Sequence, residues 1–152
     1  MKGEKSLAKA NVLLKEIIEK RNRLSKEKQL KLYHEFKRLI RIAAYGGNAS
    51  AQFELGNLYE STSYLHVNNP DFNPRKAMYW YERACGGGHA EACNSLAFHV
   101  ESLASTRQDY LHALKLYKQS AKLGSKNGEK NLRILKRDIS AGGKYNNRQN
   151  KP

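Results

Sequence analysis

Apolar residues along this chain fall three and four positions apart, the spacing that gathers side chains onto one face of an α-helix. Ala77, Tyr81, Ala84 and Cys85 stand at i, i+4, i+7 and i+8 and form one such stripe. Asn73-Pro74 opens it, because asparagine caps the free N–H groups of a first turn and proline is tolerated at the first helical position. Upstream, "LAKANVLLKEIIEKRNRL" from Leu7 reads as one amphipathic helix, and Ser25 can cap the next, "KEKQLKLYHEFKRLIRIAAY". No stretch alternates polar with β-branched residues, which argues against a β-sandwich. The pattern predicts about seven helices, with glycine marking several of the breaks between them.

The pattern also repeats. Placing "KAMYWYERACGGGHAEACNSLAF" on "HALKLYKQSAKLGSKNGEKNLRI" sets Ala77 on Ala113, Trp80 on Leu116, Tyr81 on Tyr117, Cys85 on Ala121, Gly88 on Gly124 and Leu96 on Leu132, every pair 36 apart. A third copy lies 41 residues upstream of the second, where Ala43-Ala44 match Ala84-Cys85, Gly47 matches Gly88, Ala51 matches Ala92 and Leu55 matches Leu96. Small residues (Gly56, Ala84, Ala92, Ala97) recur where paired helices must approach closely. One helical pair cannot bury its own apolar face, so such units stack on their neighbours.

This repeat resembles the Sel-1-like repeat, a relative of the tetratricopeptide repeat. The likeness is carried by "LGNLY" (Leu55 to Tyr59), "KAMYWYERAC" (Lys76 to Cys85), "GHAEA" (Gly88 to Ala92) and "DYLHALKLYKQSAKLG" (Asp109 to Gly124), and spans roughly residues 36–135. It implies an all-α solenoid of about three helical pairs, with an N-terminal helix and a capping C-terminal helix. Two departures stand out. "STSYLHVNNPDF" (Ser61 to Phe72) is longer than the usual inter-helix loop, and Arg133 and Lys136 replace a small residue and an aromatic in the last unit. A terminal unit has no neighbour on its outer side, so a polar outer face there fits a cap.

The charge is large and unevenly placed. The chain of 152 residues carries +14 overall. Residues 1–41 hold 13 basic and 5 acidic groups, residues 42–100 hold 3 and 5, and residues 101–152 hold 12 and 4. Two basic ends flank a slightly acidic middle, a field that attracts nucleic acid, an acidic protein surface or an anionic membrane face. No apolar run approaches the roughly 20 residues of a membrane span. The opening "MKGEKSLAKANVLLKEIIEK" lacks the apolar core of a signal peptide, so the expected location is cytoplasmic.

Candidate chemistry is sparse. Gly86-Gly87-Gly88 could suggest a phosphate cradle, but it occupies the repeat's turn, and neither G-x-x-x-x-G-K-[ST] nor G-x-G-x-x-G is present. Cys85, His89 and Cys93 form C-x3-H-x3-C, yet no fourth zinc ligand is evident. The two cysteines stand at small-residue positions of facing helices. Their spacing of eight resembles the cysteine-rich secreted branch of the family, whose repeats are tied by disulfides; with the pair in one unit and no signal peptide, reduced core thiols are the expectation. Tyr79, Trp80 and Tyr81 could stack on bases, but the equivalent positions hold Leu39/Ile40 and Leu116/Tyr117, so core packing is expected. The five histidines are scattered, and the S-x-x-K matches at Ser6 and Ser25 lie in lysine-rich helices without S-D-N or K-T-G.

These readings give a basic amphipathic N-terminal helix over residues 1–25, a repeat domain over 26–138 and a disordered basic tail over 139–152. No catalytic residue, metal or cofactor is expected. The resemblance implies a non-catalytic module that grips another protein through a concave groove lined by helices at about 48–60, 89–104 and 126–138. The residues placed on it are Asn57, Glu60, Asn94, Phe98, Glu101, Lys130, Ile134 and Arg137, with Phe98 as the apolar anchor. Two rival readings remain: a nucleic-acid accessory protein that uses its basic ends, with weak binding, and a cognate inhibitor or immunity partner of a toxin or enzyme.

Overall fold

Each helix after the first begins at a side chain that satisfies it. Ser25, Asn48, Asn73, His89, Thr106 and Ser125 each accept a hydrogen bond from the backbone N–H three residues on. That bond supplies a partner to one of the orphan donors of a first turn. The computed structural model describes residues 2–64 and 67–142. Among these residues the helices are α1 (Lys2–Lys20), α2 (Lys26–Tyr45), α3 (Ala49–Glu60), α4 (Pro74–Gly86), α5 (Ala90–Leu103), α6 (Arg107–Lys122) and α7 (Lys126–Ser140). A 3-10 turn, Arg21–Arg23, joins α1 to α2. The expected all-α fold is found.

Helices α2, α4 and α6 end in one common way. Gly47, Gly88 and Gly124 have φ of +86°, +85° and +96°, a region that side chains with a Cβ rarely enter. The glycine N–H bonds the carbonyl three residues back, and the next N–H reaches five back: Asn48 to Ala43, His89 to Ala84 and Ser125 to Ser120. This is the paired Schellman geometry. The residue closing it is also the cap of the following helix, so helix end and helix start share two residues. Only Gly88 of the triple glycine needs positive φ.

The chain divides into two compact units, Met1–Trp80 and Tyr81–Pro152. In the first, α1 packs on α2 and α2 on α3. Its core includes Ala10, Ile17, Phe36, Ile40, Ala43, Ala51 and Leu55. Helix α1 starts earlier than the apolar pattern from Leu7 predicts. Its first turn packs beside the end of α2, where a Cβ on Gly3 would stand in van der Waals contact, 3.4 Å from the Ala43 carbonyl oxygen.

The long segment after α3 carries two-residue strands, β1 (Ser63–Tyr64) and β2 (Val67–Asn68), paired antiparallel with Ser63 opposite Asn68. Buried Asn69 anchors the segment by donating to the Leu58 and Ser61 carbonyls at the C-terminal end of α3. Lys37 of α2 pairs with Asp71.

In the second unit α5 packs on α6, α6 on α7, and α5 on α7. Tyr81, Cys93, Tyr117, Ser120 and Leu135 are fully buried. Gly128 lies hard against α6: a Cβ there would stand 2.6 Å from the Ser120 Cβ. Ser120 cannot swing away, because its hydroxyl donates to the Ala90 carbonyl at 2.8 Å.

The expected reduced thiols are corrected here. Cys85 at the end of α4 and Cys93 in α5 are joined by a disulfide, their Cα atoms 4.7 Å apart. The tight turn at Gly88 brings the first turn of α5 back against the last turn of α4, where the two sulfurs meet. Of the tail expected from residue 139, Ile139 and Ser140 are still helical, and residues 143–152 lie outside the described residues.

Three outcomes follow for stability. Alkylation of unreduced, denatured protein should label neither cysteine, and reduction should lower unfolding free energy by on the order of 2 kcal/mol for so short a loop. Two labels before reduction would contradict the bond. Gly128→Ala should cost about 1–3 kcal/mol in urea unfolding, the range for overpacking a filled site; a neutral result would mean α6 and α7 are not in tight contact.

His89 makes folding sensitive to pH. Its Nδ1 accepts from the Ala92 N–H, and burial holds its pKa below the usual 6.5 against the opposing pull of Glu91. The unfolded chain therefore protonates this imidazole first as pH falls through about 6.5. Stability from this group is present above that value and lost below it. His89→Asn should keep the cap, as Asn48 does in the first unit, and flatten the stability profile between about pH 7.5 and 5 relative to wild type. Superimposable profiles would remove the cap from the account.

Candidate partner-binding surface

The candidate surface in the second unit is built by α5 and α7, which lie side by side. Polar side chains hold them in register. Asn131 of α7 donates to Asn94 Oδ1 of α5 at 2.9 Å. Glu91, in the first turn of α5, receives Ser125 Oγ at 2.6 Å and Asn127 Nδ2 at 3.2 Å. A carboxylate there also faces the positive end of the α5 dipole. At the other end of α5, the Tyr117 hydroxyl of α6 donates to Glu101 Oε2 at 2.8 Å. Burial, reinforced by that carboxylate, pushes the Tyr117 phenol well above its usual range, so it stays a donor.

Asn94 and Glu101, placed on a groove by the sequence reading, are thus half-exposed groups engaged within their own unit. Phe98 stands between them on α5 and is 58% exposed, its ring edge-on to His99 at 6.2 Å. Lys130 and Arg137 of α7 are exposed and Ile134 half-buried. Arg137 meets Asp138 at 3.3 Å, a bond that leaves its side chain 76% exposed. Asn57 and Glu60 lie half-exposed on α3 in the first unit. Asn57, Phe98 and Ile134 are repeat equivalents at the offsets of 41 and 36, as are Glu60, Glu101 and Arg137.

The other candidates resolve by burial and bonding. Trp80 is 5% exposed and meets Tyr45 edge-on at 5.0 Å, which makes it core, whereas Tyr79 is 51% exposed. Both cysteine sulfurs are bonded to each other, and His89 Nδ1 is used as a cap. Among the described residues, no three His, Cys, Asp or Glu gather as a metal site would require. No described helix is long and apolar enough to cross a membrane.

Sequence reasoning missed the polar links between helices. Their signal was available: Glu91 to Ser125, Glu91 to Asn127 and Asn94 to Asn131 are separated by 34, 36 and 37 residues, about one repeat. Complementary polar residues one repeat apart mark where neighbouring units bond.

Comparison with known proteins agrees with this geometry. The Sel1 repeat family matches at residues 49–89 and again at 90–125, together just over half of the chain. Those bounds pair α3 with α4 and α5 with α6. A crystal structure of a Sel1 repeat protein from Oxalobacter formigenes superposes with a TM-score of 0.55 at 26% identity, over 66% of this chain and 39% of that one. The likeness thus spans well under half of that protein. The comparison with curated proteins gives no match. Matching repeats, shared turns and a common helical fold lead to one conclusion: the chain belongs to the Sel1 repeat family.

Proposed function

We propose that this chain is a non-catalytic module that binds another protein through the α5–α7 face of its second unit. Sel1 repeats are in general protein-interaction modules. The observation that carries the reading is Phe98: a large aromatic left 58% exposed between two polar residues that are themselves bonded in place. An exposed ring on a rigid helix loses little conformational entropy on burial and makes an effective anchor. Ile134, half-buried, and the exposed cations Lys130 and Arg137 lie on α7, the helix bonded to α5 through Asn131 and Asn94. Asn57 and Glu60 extend the proposal to the equivalent positions of α3.

Affinity capture with the full chain, under nuclease and at about 0.15 M salt, tests it. A protein retained by wild type should be lost by Phe98→Ala or Arg137→Glu, with circular dichroism unchanged. Retention of the same protein by both variants would move the interface elsewhere. Capture that vanishes with nuclease would favour the nucleic-acid reading.

A further inference from the structure

The two basic ends of this chain are alike in composition and unlike in structure. Residues 1–41 hold five acids against 13 cations, and four of those cations pair with an acid on the same helix: Lys15 with Glu19 at 3.7 Å, Lys20 with Glu16 at 3.1 Å, Lys31 with Glu27 and Arg38 with Glu35 both at 2.7 Å. Residues 110–137 carry eight cations and a single acid, Glu129. All eight are exposed. Only Arg137 has an ion-pair partner among the described residues.

Their placement is regular. On α7, Lys126, Lys130, Arg133 and Arg137 stand at i, i+4, i+7 and i+11, one stripe about 16 Å long. On α6, Leu111, Lys115, Lys118 and Lys122 have the same spacing. The two helices pack together within the second unit. Leaving so many like charges unpaired on adjacent helices is unfavourable by itself, and an anionic partner relieves it.

We infer that this partner is an acidic, amphipathic helical segment of a protein, held by the α6–α7 stripes. The inference deepens the protein-binding reading and rests on it. Carboxylates repeating every three or four residues match the cation spacing, and Arg133 and Arg137 offer forks suited to carboxylate oxygens. Leu111, 44% exposed, lies in line with the α6 lysines, and Leu123, 42% exposed, stands at the C-terminal end of the same helix. A nucleic-acid backbone would leave those leucines uncovered. It would also find no exposed Phe, Tyr or Trp on α6 or α7 on which to stack a base.

Fluorescence anisotropy with the full chain at about 0.15 M salt tests the inference. The probes are a labelled peptide of Glu/Leu heptads, the same peptide with Gln for Glu, and labelled single-stranded and duplex DNA. The Glu peptide should bind at least about tenfold tighter than the Gln peptide. Replacing Lys115, Lys118, Lys130 and Arg133 by Gln should weaken it about tenfold, four exposed contacts each contributing a factor of about two. Lys15→Gln with Lys31→Gln should leave it unchanged. Equal loss from both sets would reduce the effect to net charge and overturn the proposal, as would absence of any preference for Glu. DNA bound more tightly than the peptide at this salt would overturn it in favour of a polyphosphate surface. Loss of the captured protein with Phe98→Ala is read separately, so either proposal can fail alone.

Discussion

A chain of short helices must repeatedly stop one helix and start another without leaving buried backbone groups unbonded, and here the stop and the start share two residues. A glycine in the left-handed region turns the chain so that its own N–H and the next one return to the last carbonyls of the outgoing helix. The side chain of that next residue (Asn48, His89 or Ser125) then caps the incoming helix. Almost everything else follows from the tightness of this joint. With so little slack, the first turn of α5 must come back against the last turn of α4, and there Cys85 and Cys93 meet. At the next joint of the same unit, between α6 and α7, Gly128 is brought against Ser120, where a Cβ would have no room.

Much of this was legible in sequence because its causes are local. Positive φ requires glycine, caps require a short polar side chain, and apolar stripes require a period near 3.6 residues. The repeat alone aligns Gly47, Gly88 and Gly124, and Ser25 and Asn73 are readable as caps. His89 was not read as one, since imidazole is absent from the usual capping set, although its position matched Asn48 and Ser125. The segment from Ser61 to Phe72 was readable only as an insertion. Its anchor, Asn69, works through carbonyls 8 and 11 residues away, and no periodicity encodes such a link.

The cysteines and the candidate surface show a different limit. Equivalence to Ala44 and Ala121 placed Cys85 in the core, whereas Cys93 falls on Gln52 and Glu129, and nothing local distinguishes a packed thiol from one half of a bond. On the surface, repeat alignment selected positions without revealing their use. Asn94 and Glu101 turned out to bond across helices of their own unit, while Phe98, one turn from each, was left exposed. Divergence between repeats therefore carries information that similarity hides. Where the neighbouring helix supplies a partner, the polar residue is structural; where it supplies none, an exposed ring or cation remains available to another molecule.

Charge obeys the same logic. The first 41 residues and the last 52 each carry a net +8, and composition treats them as equals. On α1 and α2 several acids fall three or four residues from a cation, the spacing at which helical neighbours meet, so part of the charge there is paired within the helix. On α6 and α7 the cations share their spacing with one another instead, and their fields add along two parallel-running rows of sequence. Net charge thus leaves out how the charges are placed along each helix, and that placement differs between the two ends. What a diffusing anionic partner meets is set by the pairing within each helix as well as by net charge, and of the eight cations between residues 110 and 137 Arg137 alone has an ion-pair partner among the described residues.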